Sequence, residues 1–326
     1  MSLVQVTDLT VHYGRRHPVH AVRNVSLTID DEEFVGLVGE SGCGKSTLGF
    51  AIARLERPPA FIVSGKVEIG GVEWTGKTNA ELRPFRWSDV AVVLQSGMNA
   101  LNPVLTIKTQ FADVMSVHTQ NAPEQIARRS EQVLDMVQIP RSALSRYPHE
   151  LSGGMRQRVV IAMALLLQPK LIIMDEPTTA LDMVVQRAIV DNLKMLRSEQ
   201  KFSLLFISHD LGLVLEFVDR VLVMYAGKIV ESQTSEDIFR RPLHPYTRAL
   251  LRSLPNPDVE VEEFEGIPGS PPDLRIPPQG CAFADRCPMV VDRCREEDPP
   301  PVAHGSSLVR CHVTNKEIFD VTTSRR

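Results

Sequence analysis

The chain has 326 residues, of which 43% are apolar and 23% charged, and a net charge of −4. This length holds one large core with an appendage or two modest domains, the composition is that of an ordinary globular protein, and the mild acidity gives no reason to propose nucleic acid as the main ligand. The longest apolar run, Val159 to Leu167, is nine residues, far short of the roughly 20 that span a bilayer, and the first residues lack the basic and apolar stretches of a secretory signal. A cytoplasmic protein is the expectation, with any membrane work done through a partner.

In chain order, Val4–Val6 and Val25–Ile29 alternate apolar and polar residues and predict strands of an antiparallel sheet. Phe34–Val38 is a continuous apolar strand ending at Gly39, and Ser46–Leu55 is helical in character. Val90–Leu94 predicts a strand that ends at Gln95. From Ala122 to Arg146 the composition turns polar and helical, which marks a helical subdomain over about 97–165. Two buried strands follow, Leu171–Met174 and Leu204–Ile207, both ending on polar residues. Val221–Met224 and Lys228–Val230 bracket Tyr225-Ala226-Gly227 as a terminal hairpin. After residue 240 prolines crowd the chain, from Pro242 to Pro301, and predict an extended, loop-rich module with no further α/β layer. The expected domains are therefore 1–240 and 241–326. Polar strand ends matter because ligands of parallel α/β sheets sit at the carboxyl ends of the strands.

Three stretches carry chemistry. Gly39-Glu-Ser-Gly-Cys-Gly-Lys-Ser46 follows a strand and opens a helix, the setting a phosphate-binding loop requires. Backbone N–H groups from Gly42 to Thr47 would cradle phosphates, Lys45 would neutralise them, and the Ser46 hydroxyl would reach Mg²⁺. Cys43 reads as a small filler, since no base lies near it in sequence to make a reactive thiol. Leu171-Ile-Ile-Met-Asp175-Glu176 supplies two adjacent carboxylates at a strand end. They point in different directions, Asp175 toward metal and Glu176 toward an attacking water. Leu151-Ser-Gly-Gly-Met-Arg-Gln-Arg158 places Ser152 to cap a helix, with Gly153 and Gly154 leaving the helix N-terminus open to anionic oxygen.

With the glycine loop, Leu151–Arg158 and Leu171–Glu176 following one another along the chain, residues 1–235 resemble the nucleotide-binding subunit of an ATP-binding cassette (ABC) transporter. The resemblance implies a P-loop NTPase (RecA-like) α/β core with an antiparallel β subdomain and an α-helical subdomain. It implies ATP and Mg²⁺ as cofactors, with Gly39, Ser41, Gly42, Cys43, Gly44, Lys45, Ser46 and Thr47 around the phosphates and Tyr13 stacked on adenine. Gln95 would reach Mg²⁺ and relay the nucleotide state, and His209 would contact the γ-phosphate. Ser152, Gly153, Gly154, Gln157 and Asp182, the last within Ala180-Leu181-Asp182, would serve the ATP held by a facing second ATPase subunit. Two transmembrane permeases and an extracytoplasmic solute-binding protein complete the implied importer, with this chain peripheral on the cytoplasmic face of the inner membrane.

Arg241-Pro-Leu-His-Pro-Tyr-Thr-Arg-Ala-Leu-Leu251, Gly280-Cys-Ala-Phe and Arg286-Cys-Pro are similar to the extension of oligopeptide and dipeptide importer ATPases. Pro58 to Gly65 looks like the first of the two unlike ATPases of that family. One stretch departs from it: where many peptide importers have Asp-Pro after the glutamine, this chain has Ser96-Gly-Met-Asn-Ala-Leu-Asn-Pro103, a stretch that often goes with oligosaccharide uptake. Peptides are the leading cargo, with oligosaccharides or nickel as alternatives. A cassette ATPase that moves no solute forms a further alternative, either with an iron–sulfur sensor module or acting in DNA repair or on ribosomes.

Cysteines 281, 287, 294 and 311 are spaced by 5, 6 and 16 residues and contain no C-x₂-C knuckle. Four thiols in a loop-rich segment suit an iron–sulfur cluster or tetrahedral zinc, with a disulfide or free thiols as alternatives and His304 and His312 as substitute ligands. The family resemblance implies a 4Fe–4S cluster on Cys281, Cys287, Cys294 and Cys311.

Overall fold

The structure, a computed structural model, describes residues 2–95, 100–179, 181–254 and 266–314. Ser96–Asn99 and Ala180 lie outside the described residues, so the departure after Gln95 and the first residue of the Ala180-Leu181-Asp182 loop have no structural account.

Along the chain run β1 (Ser2–Tyr13), β2 (Val19–Asp30), β3 (Phe34–Val38), α1 (Lys45–Ile52), β4 (Ala60–Ile69), β5 (Val72–Glu73), α2 (Asn79–Leu82) and β6 (Val90–Val93). The helical stretch holds α3 (Ile107–His118), α4 (Pro123–Met136) and α5 (Gly153–Leu165). Then come β7 (Leu171–Asp175), α6 (Met183–Glu199), β8 (Ser203–Ser208), α7 (Leu211–Leu215), β9 (Arg220–Tyr225), β10 (Lys228–Thr234), α8 (Ser235–Arg240), α9 (Pro245–Arg252), α10 (Asp292–Glu296), β11 (Val302–His304) and β12 (Ser307–Val309).

These elements gather into two compact units. One contains residues 2–3, 29–33 and 70–207. In it β6, β7 and β8 run parallel as neighbours, with Val90 beside Leu171 and Ile172 beside Leu204. Every residue of β7 is buried, which explains its unbroken apolar sequence: a central parallel strand has no solvent face. The helices of this unit pack as α3 on α4 and α4 on α5. Arg129 of α4 donates to the carbonyls of Leu165 and Leu166, over 2.7 and 3.0 Å. It thereby satisfies acceptors that the end of α5 leaves open.

The other unit contains residues 4–28, 34–69 and 208–314 of the described chain. β1 pairs antiparallel with β4, as the alternating N-terminal sequence predicts. β3 runs parallel to β9, and β9 and β10 form the predicted hairpin through Ala226 and Gly227, both at positive φ. The expectation of a terminal hairpin followed only by loops needs correction. β12 pairs antiparallel with β10, and β11 with β12, so the C-terminal module adds two short strands to the edge. The edge is covered by the chain's own later residues, a standard solution to an open strand.

Candidate functional site

The phosphate-loop unit is built around β3, whose five residues are all buried. Asp219 anchors the strand, accepting from the Phe34 N–H over 2.9 Å and donating its own N–H to the Phe34 carbonyl over 2.8 Å. The chain then turns through Gly39 at φ 152° and Gly44 at φ 108° into α1. A side chain at Gly39 would meet the Met224 carbonyl oxygen at 2.2 Å, and one at Gly44 the Ala21 carbonyl oxygen at 2.1 Å. Both positions exclude any larger residue. The Gly227 N–H donates to the Cys43 carbonyl over 2.9 Å, so the β9–β10 turn props the loop from below.

Lys45 is buried within this loop, its Nζ donating to the carbonyls of Gly39 and Glu40 over 2.8 and 2.9 Å. Cys43 is buried, as a filler should be, and burial pushes its thiol pKa up. Ser41 and Gly42 are exposed at the loop crest, with Ser46 half-buried and Thr47 buried on α1. Tyr13, at the end of β1, shares a 3.1 Å hydrogen bond with the Thr47 hydroxyl, which brings the expected adenine-stacking ring to the start of α1. His209 directly follows β8 and is exposed, ahead of Asp210, whose carboxylate caps α7 by accepting from the Leu213 N–H.

The β6–β8 unit carries the carboxylates. Asp175 ends β7 at 2% exposure. Glu176 follows at φ 44°, a left-handed conformation that costs a non-glycine residue free energy and clusters at functional sites. Its N–H is tied to the Ile207 carbonyl over 2.9 Å, while Oε2 accepts from the Gln95 amide and the Thr179 hydroxyl, each over 2.9 Å. The two predicted residues Gln95 and Glu176 are therefore brought together across the ends of neighbouring strands.

In the same unit Ser152 caps α5, accepting from the Met155 N–H, and Asp182 caps α6, accepting from the Val185 N–H. Gly154 lets the two helix starts meet, since a Cβ there would stand 2.6 Å from Val185 Cγ1. Two positive helix ends thus open side by side, with Ser152 and Asp182 exposed and Met183 and Val184 at 84% and 79% exposure. Gln157, also expected at the partner's ATP, is buried on α5 at 2% exposure.

The four C-terminal cysteines, Cys281, Cys287, Cys294 and Cys311, line one small cavity together with His244, Met289 and His312. Desolvation pushes the Cys281 thiol up to about 12, and the neighbouring cysteines add to the shift. His244 is fully buried and caps α9 through Nδ1, and His312 Nε2 bonds the Glu297 carbonyl. Among the described residues no group of three or more His, Cys, Asp or Glu is arranged to hold a metal ion. Thiols are the donor type that an iron–sulfur cluster takes, and these four line one cavity without forming such a group. Of the residues expected at Mg²⁺, Ser46 stands half-buried on α1 in one unit, and Asp175 at the end of β7 and Gln95 just beyond β6 stand in the other, each offering the hard oxygen type that Mg²⁺ takes.

Two residues to which the sequence reading gives no role at the phosphate loop, Tyr246 and Arg286 of the C-terminal stretches, bear on it. Both reach Glu40 from the C-terminal module. No spacing rule could have found them, because Arg286 lies 246 positions from its partner.

A glycine loop between buried strand and helix, with paired carboxylates at the end of another buried strand, defines a P-loop nucleotide-hydrolysing α/β protein. Comparison with known proteins narrows this. Residues 22–179 match the ABC transporter family, and residues 230–294 the C-terminal region of oligopeptide/dipeptide transporters. The chain is 40% identical over 321 residues to the oligopeptide transport ATP-binding protein AppD of Bacillus subtilis, covering 97% of this chain and 98% of that protein. It is 41% identical over 302 residues to the dipeptide transport ATP-binding protein DppD of Escherichia coli, covering 92% of each. Among solved structures it is similar to the ATP-binding cassette MJ0796, a dimer bound to ADP and Pi. That match has a TM-score of 0.64 and 28% identity, over 71% of this chain and 98% of the other. The chain belongs to the ABC transporter family, as an ATP-hydrolysing subunit. No helix among its described residues is long and apolar enough to cross a membrane.

Proposed function

We propose that this chain drives the import of peptides, by binding and hydrolysing ATP beneath two permease subunits that receive cargo from an extracytoplasmic solute-binding protein. The observation that carries the reading is the pair of adjoining helix starts at Ser152 and Asp182. Two exposed helix N-termini beside the exposed Met183 and Val184 form a surface made for anionic oxygen and for a covering partner. A homologous second ATPase subunit is that partner. Its ATP would meet Ser152, Gly153, Gly154 and the loop ending at Asp182.

On this chain's own ATP, Gly39–Thr47 would wrap the phosphates and Lys45 would exchange its loop carbonyls for phosphate oxygens. Ser46, Asp175 and Gln95 would hold Mg²⁺, which when bound neutralises charge on the phosphates. Glu176 would orient and deprotonate water, Tyr13 would stack on adenine and His209 would contact the γ-phosphate. Hydrolysis would reopen the dimer, as in gated closure generally. The C-terminal cysteines would hold a 4Fe–4S cluster that staples a proline-rich module with few apolar residues. The proposed domain division is 1–240 for the cassette and 241–326 for this module, with the chain peripheral on the cytoplasmic face of the inner membrane.

Peptide as cargo rests on the match of residues 230–294 and on the names of the relatives. The test is uptake by cells lacking the chain. Loss of labelled di- or oligopeptide uptake, restored by the intact gene, is expected. Normal peptide uptake with lost oligosaccharide or nickel uptake would transfer the reading to those cargoes.

A further inference from the structure

Glu40 is the second residue of the phosphate loop, and the C-terminal module holds it by both its ends. Arg286 Nη1 and Nη2 donate to Glu40 Oε2 and Oε1 over 2.7 and 2.9 Å, a bidentate fork. The Glu40 N–H donates to the Tyr246 hydroxyl oxygen over 2.8 Å. What remains of Glu40 is its carbonyl, and this accepts from Lys45 Nζ and from the Cys43 N–H. Every polar group of this residue is thus committed, half to the module and half to the loop.

The grip is itself fixed. Arg286 is 5% exposed at its side chain and spends its other donors on the carbonyls of Pro268 and Ile267 and on the Tyr225 hydroxyl. Its guanidinium lies against the rings of Tyr225 and Phe283, and Tyr225, Tyr246 and Phe283 pack on one another with centroids 4.7 to 5.4 Å apart. A short 3₁₀ turn, Ala284–Arg286, aims the side chain. Its ends are tied to the cysteine pocket, the Ala284 N–H donating to the Cys281 carbonyl and the Cys287 N–H to the Ala284 carbonyl. A largely buried ion pair returns little net stability against the cost of desolvating it, while the bidentate fork adds geometric specificity. Its placement on the phosphate loop makes that geometry consequential.

We propose that Arg286 and Tyr246 are positioning residues for ATP binding: by clamping Glu40 they set the loop conformation in which Lys45 and the loop amides receive phosphate. The C-terminal module is on this account a working part of the nucleotide site. The proposal deepens the reading of Gly39–Thr47 as this chain's ATP loop and rests on it.

The experiment measures the Kd for MgATP, by calorimetry on the purified full-length chain, together with urea unfolding of each variant. R286A is expected to raise the Kd at least about tenfold, the scale of one lost hydrogen bond to a charged group. R286K should recover part of that loss, because it restores charge without the fork, and Y246F should weaken binding to a smaller degree. The E40Q/R286A pair leaves no buried charge unpaired, so its unfolding midpoint should return toward that of the unaltered chain while its Kd stays raised. Recovery of both together would reduce the clamp to a structural staple, and R286A that folds and binds MgATP normally would overturn the proposal. Should R286A not fold, E40Q/R286A decides alone. Absence of MgATP binding by the unaltered chain would instead refute the loop assignment beneath it.

Discussion

Gln95 and Glu176 meet over a 2.9 Å hydrogen bond, the Gln95 amide donating to Oε2 of the carboxylate. The same oxygen accepts from the Thr179 hydroxyl over 2.9 Å. Glutamine at 176 keeps an acceptor for both donors and loses the basicity. Glu176→Gln is therefore expected to retain MgATP binding and to lose hydrolysis by at least about 100-fold, the lower range for removal of a general base. Near-normal turnover in the assembled transporter would show that another group activates the water.

Much of this site is readable from the sequence because its parts are local. Gly39 to Ser46 follows a five-residue apolar strand and leads into a helix, and Gly39 and Gly44 are each forced by a carbonyl that stands where a Cβ would be. Ser152 caps α5, as its position suggests. What escapes the sequence is set by distant packing. The burial of Gln157, a polar residue on α5, is set by packing that its local sequence does not display. β11 and β12 are three residues each and follow Pro299–Pro301, too short to show a period of two. The Arg286–Glu40 clamp joins residues 246 positions apart, one in a loop-rich module and one in a phosphate loop. Neither local context hints at the other.

Gly154 tests how closely the two helix starts must approach. Alanine there would bring Cβ to 2.6 Å from Val185 Cγ1 and 3.3 Å from Cγ2. Val185 is branched and stiff, so α5 and α6 must separate. G154A is expected to destabilise the chain by about 1–3 kcal/mol, the usual cost of overpacking, with some return from alanine's better helix propensity. Adding V185A should restore most of the loss. Urea midpoints of the single and double variants measure this, and equal midpoints for G154A and the unaltered chain would mean the contact yields freely.

Cys287 bears on the cluster. Serine in its place removes one of four sulfurs that converge on a common cavity. In anaerobically purified protein, Cys287→Ser is expected to lose most bound iron and the visible absorbance that accompanies it. Iron content equal to that of the unaltered chain would remove Cys287 from the ligand set, and absence of iron from both would favour zinc or free thiols.

Glu231 sets a pH dependence that can be assigned a sign. It is 0% exposed on β10, and its carboxylate accepts from the N–H groups of Leu243 and His244 and from the Gln233 amide. Desolvation dominates, raising its pKa above the ordinary 4.5 despite these donors. A carboxyl whose folded pKa is raised takes up its proton more readily in the native state. Its contribution is then fully present below about pH 4.5 and declines as pH rises through the higher folded value. Relative to Glu231→Gln, which cannot titrate, the unaltered chain should lose stability across that rise and hold a constant difference above it. The slope within the window is at most one proton, about 1.4 kcal/mol per pH unit. Paired urea titrations from pH 4 to pH 8 read the difference directly. A difference that grows in favour of the unaltered chain as pH rises would mean the backbone donors outweigh burial, and that Glu231 joins the C-terminal module to β10 as a charge.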